Sequence, residues 1–187
     1  MSGRPAWRDH VATGIVDTAA QVLAERRDAS MAEIATAAGV GRATLYRYFP
    51  NREALLRVLA GAGIDELGRR IVEAGLDALP VREGIARLSR AIVTTGRKYI
   101  ALVELPPGLV DARAVETQIV EPIRALLARG VADGTLRDDF DPETLRATFL
   151  GILRSLIKLS IRGGQGVEQV SAAATTAFLD GAARTQL

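Results

Sequence analysis

Apolar residues recur along most of this chain at intervals of three or four residues, the spacing that places them on one face of an α-helix. The first such series is Val11, Ile15, Ala19, Val22 and Leu23. Alternation of apolar and polar residues, which would indicate a half-buried strand, persists nowhere in the sequence. The pattern therefore predicts an all-α protein.

Residues that begin and end helices outline two short helices near the N-terminus. Ser30 and Glu33 have the spacing of a capping box, in which each side chain binds the other residue's backbone amide, so a second helix begins here. Gly39 can adopt the left-handed conformation that ends a helix, and "GVG" allows a tight turn before a third helix over "RATLYRYF". Pro50 ends that helix. Two short helices joined by a glycine-containing turn are typical of a helix-turn-helix unit.

Prolines and glycines divide the remainder of the chain into longer helices. Asn51 is placed to cap the first of these, Pro122 is expected to start, kink or interrupt another, and Asp141 is the expected cap of the next. We interpret residues 1–51 as a helix-turn-helix domain and residues 52–187 as a second, helical domain. The predicted longer helices cover about 52–76, 82–102, 111–132, 142–161 and 167–183.

The third helix holds an unusual share of the aromatic residues. The chain has three tyrosines, four phenylalanines and one tryptophan, yet Tyr46, Tyr48 and Phe49 lie within four consecutive positions. At about 100° per residue, Leu45 and Phe49 are expected on the packed side of this helix with Tyr46 beside them. The expected free face carries Ala43, Thr44, Arg47 and Tyr48, with Arg42 at the helix start.

That free face suits the major groove of DNA. An arginine can pair with the edge of guanine, threonine and alanine can contact the thymine methyl group, and hydroxyl groups can bind phosphate. Arg52, in the first turn of the next helix, adds a cation beside free backbone amides, although it could instead pair with a nearby acid. The alternative for Arg47 and Tyr48 is an ordinary solvated helix surface, and Arg42 and Thr44 could be ordinary helix-start residues. The predicted DNA-binding residues are Arg42, Ala43, Thr44, Arg47, Tyr48 and Arg52.

The composition argues against an enzyme or a metalloprotein. The chain has no cysteine and one histidine, His10, so it lacks a disulfide framework, a thiolate metal site and the ligands for a histidine-based zinc site. "RGGQGVEQ" is a short glycine run with no strand before it, unlike a phosphate-binding loop. We therefore expect no catalytic residues, no metal and no cofactor.

The sequence favours a soluble cytoplasmic protein. Its first ten residues lack the apolar segment of a signal peptide, and its most apolar later stretch, "LGILRSLIKLSI", is interrupted by Arg154 and Lys158. We expect no membrane partner. The net charge of +2 and the isoelectric point of about 9.4 weakly favour an anionic partner.

The stretch from about Val11 to Leu56 closely resembles the DNA-binding domain of the tetracycline-repressor (TetR) family of transcriptional regulators. The resemblance depends on "IATAAGV" as second helix and turn, "TLYRYFPN" as recognition helix and exit, and the following "REALL". Arg52 occupies the position of the family's usual lysine, which keeps the charge but changes the hydrogen-bond geometry. The resemblance implies a sequence-specific DNA-binding regulator, usually a repressor, that binds a palindromic operator as a dimer.

The family also implies a small-molecule effector for the second domain. Helices rich in leucine, isoleucine and valine could enclose a cavity with few polar groups, so we expect a small, largely apolar ligand. The helix that starts at Arg52 could act as a lever between the two domains. An ordinary surface position is the alternative for each polar candidate. The candidate ligand-binding residues are Arg97, Tyr99, Glu104, Gln118, Phe149 and Arg154.

The last two helices are predicted to form a homodimer. Their apolar faces are long, and small residues on the final helix would permit close approach to a partner, so four helices could form a bundle between subunits. The alternative function is a helical dimeric structural or interaction protein that has lost DNA binding. The N-terminal "GRPAWR" could be an arm that reaches DNA through Arg4 or Arg8, or a frayed end. The candidate dimerisation residues are Leu153, Leu156, Val170, Ala174, Ala177 and Phe178.

Overall fold

The structure is a computed structural model that describes residues 6–99 and 108–182. Those residues form helices joined by short turns and include no strand, which confirms the all-α prediction. The helices are α1 (Ala6–Glu25), α2 (Met31–Ala37), α3 (Arg42–Tyr48), α4 (Arg52–Glu73), a 3₁₀ turn (Leu76–Ala78), α5 (Val81–Lys98), α6 (Ala112–Val115), a π-helical segment (Glu116–Val120), α7 (Glu121–Ala132), α8 (Pro142–Gly163) and α9 (Val167–Ala182).

The chain forms two compact units. Of the described residues, unit one contains everything up to Gly63 together with 98–99 and 108–110, and unit two contains Ile64–Arg97 and 111–182. Helix α4 contributes its first half to unit one and its second half to unit two. The boundary between residues 51 and 52 expected from the sequence therefore falls at the start of a helix that both units share.

The caps of unit one follow the local sequence. The Ser30 hydroxyl accepts the amide of Glu33, and the amide of Ser30 donates to the Glu33 carboxylate at 2.7 Å, so the predicted capping box is confirmed. Gly39 has φ of 65°, the left-handed conformation expected at the end of α2. The Asn51 side chain accepts the amide of Ala54 at 2.8 Å and caps α4 as predicted.

Unit one has a single apolar core beneath α1 to α4. Burial in this core fixes which face of each short helix points inward, because none of them is long enough to be stable alone. The largest buried core side chains are Ile15, Leu23, Met31, Ile34, Leu45, Phe49, Leu55, Leu59 and Tyr99.

In unit two, α8 and α9 pack against each other as a hairpin closed by a short glycine-rich turn. Phe149 lies toward the N-terminal end of α8 and Phe178 toward the C-terminal end of α9. The hairpin brings these two ends together, and the ring centroids are 4.9 Å apart. Asp141 caps α8 through the amides of Glu143 and Thr144, as predicted.

The expected disturbance at Pro122 is a π-helical segment immediately before it. Proline has no amide hydrogen to donate and its ring crowds the carbonyl four residues earlier, so a regular α-helix cannot continue unchanged through this position. The segment directs Gln118 toward α4, where its amide nitrogen lies 3.4 Å from the carboxylate of Asp65. Gly68 provides the space, because a Cβ there would lie 2.4 Å from the Gln118 side-chain oxygen.

Within the described part of the chain, each helix is either too short or too polar to cross a lipid bilayer.

Candidate nucleic-acid interface

Helix α3 is held by two side chains and presents the rest of its surface outward. Leu45 and Phe49 are 0% and 4% exposed in the core of unit one. Thr44 and Tyr48 are half-buried at the edges of the helix. The exposed face consists of Arg42, Ala43, Tyr46 and Arg47.

The two tyrosines of α3 exchange their predicted roles. Tyr46 is 47% exposed, whereas the ring of Tyr48 packs against the unit-one core. The prediction that Tyr46 packs and Tyr48 lies free was wrong. At about 100° per residue Tyr46 is 100° from Leu45, while Tyr48, three residues on, is only 60° from it in the opposite sense. The helical angle alone therefore places Tyr48, and not Tyr46, nearer to the packed side of the helix.

Burial also limits what Tyr48 can contact. Its hydroxyl is buried without a hydrogen-bond partner among the described residues. The guanidinium carbon of Arg47 lies 5.4 Å from the centre of the Tyr48 ring, a cation–π distance. The ring of Tyr48 therefore supports the exposed Arg47, and the hydroxyl exposed for a partner on this helix belongs to Tyr46.

Arg52 binds the protein's own backbone. One terminal nitrogen of its guanidinium donates to the carbonyl of Ala29, and the other donates to the carbonyl of Arg27 at 2.6 Å. These carbonyls lie in the turn between α1 and α2. The sequence suggested a phosphate or an acid as the partner of Arg52, and it could not show the carbonyls because they are about 25 residues away.

Comparison with known proteins agrees with this geometry. The profile of the bacterial regulatory proteins of the tetR family matches residues 15–59, which span α1 to α4. The transcriptional repressor LfrR of Mycolicibacterium smegmatis is 37% identical over 91 residues, and the match covers 40% of this chain and 48% of LfrR. The repressor KstR2 of Rhodococcus jostii is 29% identical over 143 residues, which is 70% of each chain.

Similarity in three dimensions extends through both units. The crystal structure of LfrR from Mycobacterium smegmatis in complex with proflavine aligns with a TM-score of 0.74 and 26% identity, covering 94% of this chain and 99% of that chain. Residues 15–59 therefore match the DNA-binding region of the tetR family, and the comparisons over both units support a TetR-family transcriptional regulator. Helices α2 and α3 are the helix-turn-helix of this matched region.

The predicted ligand-binding residues lie in different surroundings. Tyr99 lies in the core of unit one and Phe149 in the core of unit two. Arg97 donates to the hydroxyl of Ser160 at 3.0 Å and to the carbonyl of Gln165. Arg154 is exposed on α8. Their contact with a ligand stays a prediction, as does that of Gln118, which reaches α4.

Glu104 lies outside the described residues. Two open grooves in unit two, of about 230 and 420 Å³, are both lined by Arg87 and Arg90 and by none of the predicted ligand residues. Two further polar side chains of unit two, Ser89 and Thr95 on α5, were not among the predicted residues, and their buried hydroxyls have no hydrogen-bond partner within the described residues. Short hydroxyl side chains among apolar helix positions are the signal that could have identified them.

Four of the six predicted dimerisation residues are buried inside the subunit and do not lie on its surface. Leu153, Val170, Ala174 and Phe178 are buried within the subunit, so the prediction that they form the dimer face is wrong. Their apolar face is long because α8 and α9 pack against the subunit's own core. Leu156 is half-buried and Ala177 is exposed, so these two remain available to a partner.

The cap of α2 predicts a pH dependence. Hydrogen bonds from the backbone amide and the hydroxyl of Ser30, followed by Arg26 at 2.6 Å, lower the pKa of Glu33 from 4.5 to about 2. A folded-state pKa below the unfolded value stabilises the protein above about pH 4.5, and this stabilisation is lost as the pH falls toward 2.

We expect protection of the α2 amides from hydrogen exchange to fall over this range, and to fall less in Glu33→Gln. Glu53→Gln, on the exposed Glu53–Arg57 pair, is the control and should behave like the parent. Equal pH dependence in Glu33→Gln and the parent would show that this pH dependence does not come from Glu33.

Proposed function

We propose that this protein is a repressor that binds a palindromic DNA operator as a homodimer and is released by a small, largely apolar ligand. One observation carries the DNA-binding part. The exposed face of a helix-turn-helix recognition helix combines Arg42, Ala43, Tyr46 and Arg47. The similarity to LfrR and KstR2, both described as transcriptional repressors, supports repression as the direction of control.

Each exposed side chain of α3 has a distinct role in this proposal. Arg47, near the centre of the free face, pairs with a guanine edge in the major groove, and Ala43 contacts a thymine methyl group. Arg42 and the hydroxyl of Tyr46 bind phosphates on either side. Tyr46 takes the phosphate role predicted from sequence for Tyr48, because the Tyr48 hydroxyl is buried.

Replacing Arg47 tests the recognition face. We expect Arg47→Ala to weaken binding to the operator by about 1 to 3 kcal/mol, because a base contact is lost, and to leave thermal stability unchanged. The probe is the duplex that the parent protein selects from random DNA, with affinity measured by fluorescence anisotropy at fixed salt.

Arg57→Ala is the matched control, because Arg57 is an exposed arginine of unit one that pairs with Glu53 on α4. It should bind the operator as the parent does. Parent-like affinity in Arg47→Ala would remove the proposed face, and failure of the parent to select any sequence would favour a helical dimer that has lost DNA binding.

The outward surfaces of α8 and α9 support a dimer different in detail from the predicted one. The side chains that point away from the subunit core are mostly small, which allows two helix pairs to approach closely. A two-fold bundle would set the two recognition helices in successive major grooves, about one helical turn of DNA apart. The outward residues are Thr148, Gly151, Ser155 and Leu159 on α8 and Gln169, Ala173, Thr176, Ala177 and Asp180 on α9.

Charge on this outward face should separate the subunits. We expect a dimer for the parent at micromolar concentration and a monomer for Leu159→Glu and Ala177→Glu, since both positions are exposed in the subunit and both changes bury charge in the proposed interface. Sedimentation velocity measures the mass. Val72→Glu is the control, because Val72 is 80% exposed on α4 and should leave the dimer intact. A monomeric parent, or dimeric variants, would contradict the proposed interface.

The effector proposal depends on unit two. Buried Ser89 and Thr95 offer hydroxyl groups on the otherwise apolar buried face of α5, and an unpaired buried hydroxyl is unfavourable until it gains a partner. A ligand with a large apolar surface and one or two polar atoms fits such surroundings. The LfrR structure contains proflavine, so this planar aromatic amine is the first probe.

Removal of the two hydroxyls should separate ligand binding from folding. We expect proflavine to raise the unfolding temperature of the parent and to weaken its operator binding. Ser89→Ala/Thr95→Val should show a smaller shift, with ligand-free stability equal to or above that of the parent because neither hydroxyl loses a partner. Thr117→Val is the control, because Thr117 is exposed in unit two and lies outside both grooves and the proposed interface. If proflavine shifts the parent and double variant equally, these hydroxyls do not contact the ligand.

A further inference from the structure

The start of α4 is joined to the turn that precedes the helix-turn-helix. The half-buried side chain of Arg52 donates one terminal nitrogen to the carbonyl of Ala29 and the other to the carbonyl of Arg27. The planar guanidinium thus bridges two acceptors at once, which a single ammonium group does with poorer geometry.

The carbonyls that Arg52 binds need a donor. They belong to residues that follow the last residue of α1 and precede the first residue of α2, so they are carbonyls of neither helix. Ala29 is itself buried, so an unpaired carbonyl at this point would be costly. Arg52 supplies one donor to each of the two carbonyls.

The bridge closes a loop around the DNA-reading helices. Helix α2 begins at Met31, two residues after Ala29, and α3 ends at Tyr48, four residues before Arg52. Arg52 therefore fastens together the two points at which the α2–α3 unit joins the rest of unit one. The acid in the first turn of α2, Glu33, is already bonded to Ser30 and Arg26, so it does not compete for Arg52.

We propose that Arg52 is a positioning residue, which fixes the orientation of α2 and α3 for the operator by binding the α1–α2 turn and does not act as a phosphate ligand. This inference builds on the proposed DNA-binding function. It distinguishes Arg52 from the exposed arginines of α3, and it makes the choice of arginine over lysine at this position functional.

Charge and fork geometry can be separated with Arg52→Lys and Arg52→Ala. Lysine keeps the charge and would still bind a phosphate, but it loses the planar fork. Three quantities are measured. They are hydrogen exchange at the amide of Ala29 without DNA, affinity for the selected operator and for an unrelated duplex of equal length, and the slope of log affinity against log salt. Arg57→Ala is again the control.

If Arg52 positions the helices, Arg52→Lys exchanges the Ala29 amide about tenfold faster and binds the operator about tenfold more weakly, while its affinity for unrelated DNA changes less than about twofold. The salt slope stays at the parental value in both variants. A slope reduced by about one in Arg52→Ala, or parental exchange and operator affinity in Arg52→Lys, overturns the proposal.

The exchange measurement separates this inference from the proposed function. If the parent protein selects no DNA sequence, the proposed function fails and the role of Arg52 is decided by exchange alone. Unchanged exchange at Ala29 in Arg52→Lys then overturns the bridge, and faster exchange supports it.

Discussion

The short recognition helix depends on the burial of two side chains. Helix α3 has seven residues, fewer than the roughly 12 to 15 that an isolated helix needs to be stable in water. Leu45 and Phe49 anchor it to Ile34 of α2, Leu55 of α4 and the rest of the unit-one core. Because these two residues carry the packing, the remaining positions of α3 can serve a partner. The face that we propose for DNA binding is the side of α3 opposite these buried residues.

Arginine has a second use in this protein besides charge. Side chains of Arg52, Arg97 and Arg129 all donate to backbone carbonyls at turns, and Arg129 reaches those of Leu76 and Leu79 at 2.7 and 3.0 Å. These carbonyls lie in or beside the turns between helices. A guanidinium can satisfy two of them while remaining partly solvated. The strong preference for arginine over lysine in the sequence is thus consistent with a need to hold turns in place as well as with an anionic partner.

Apolar helix faces support two different interpretations that only packing separates. The stripe containing Leu153, Val170, Ala174 and Phe178 is equally compatible with a subunit core and with an interface. In the structure this stripe forms part of the subunit core. The outward surface of α8 and α9 consists mainly of small and polar residues. A dimer through these helices would therefore depend on close approach of backbones more than on large apolar side chains.

The sequence by itself determined the all-α fold, the helix caps and the resemblance of residues 15–59 to the tetR family. Ser30, Gly39, Asn51 and Asp141 act within a few residues of themselves, so their roles are local and could be predicted. Pro122 likewise predicted an interruption of the helix, although the π-helical form of that interruption depended on packing. Only the tertiary structure decided the carbonyl partners of Arg52 and which side of α8 and α9 packs in the subunit core, because both depend on contacts between residues far apart in the chain. Helical periodicity identifies a face, but the partner of that face lies elsewhere in the chain.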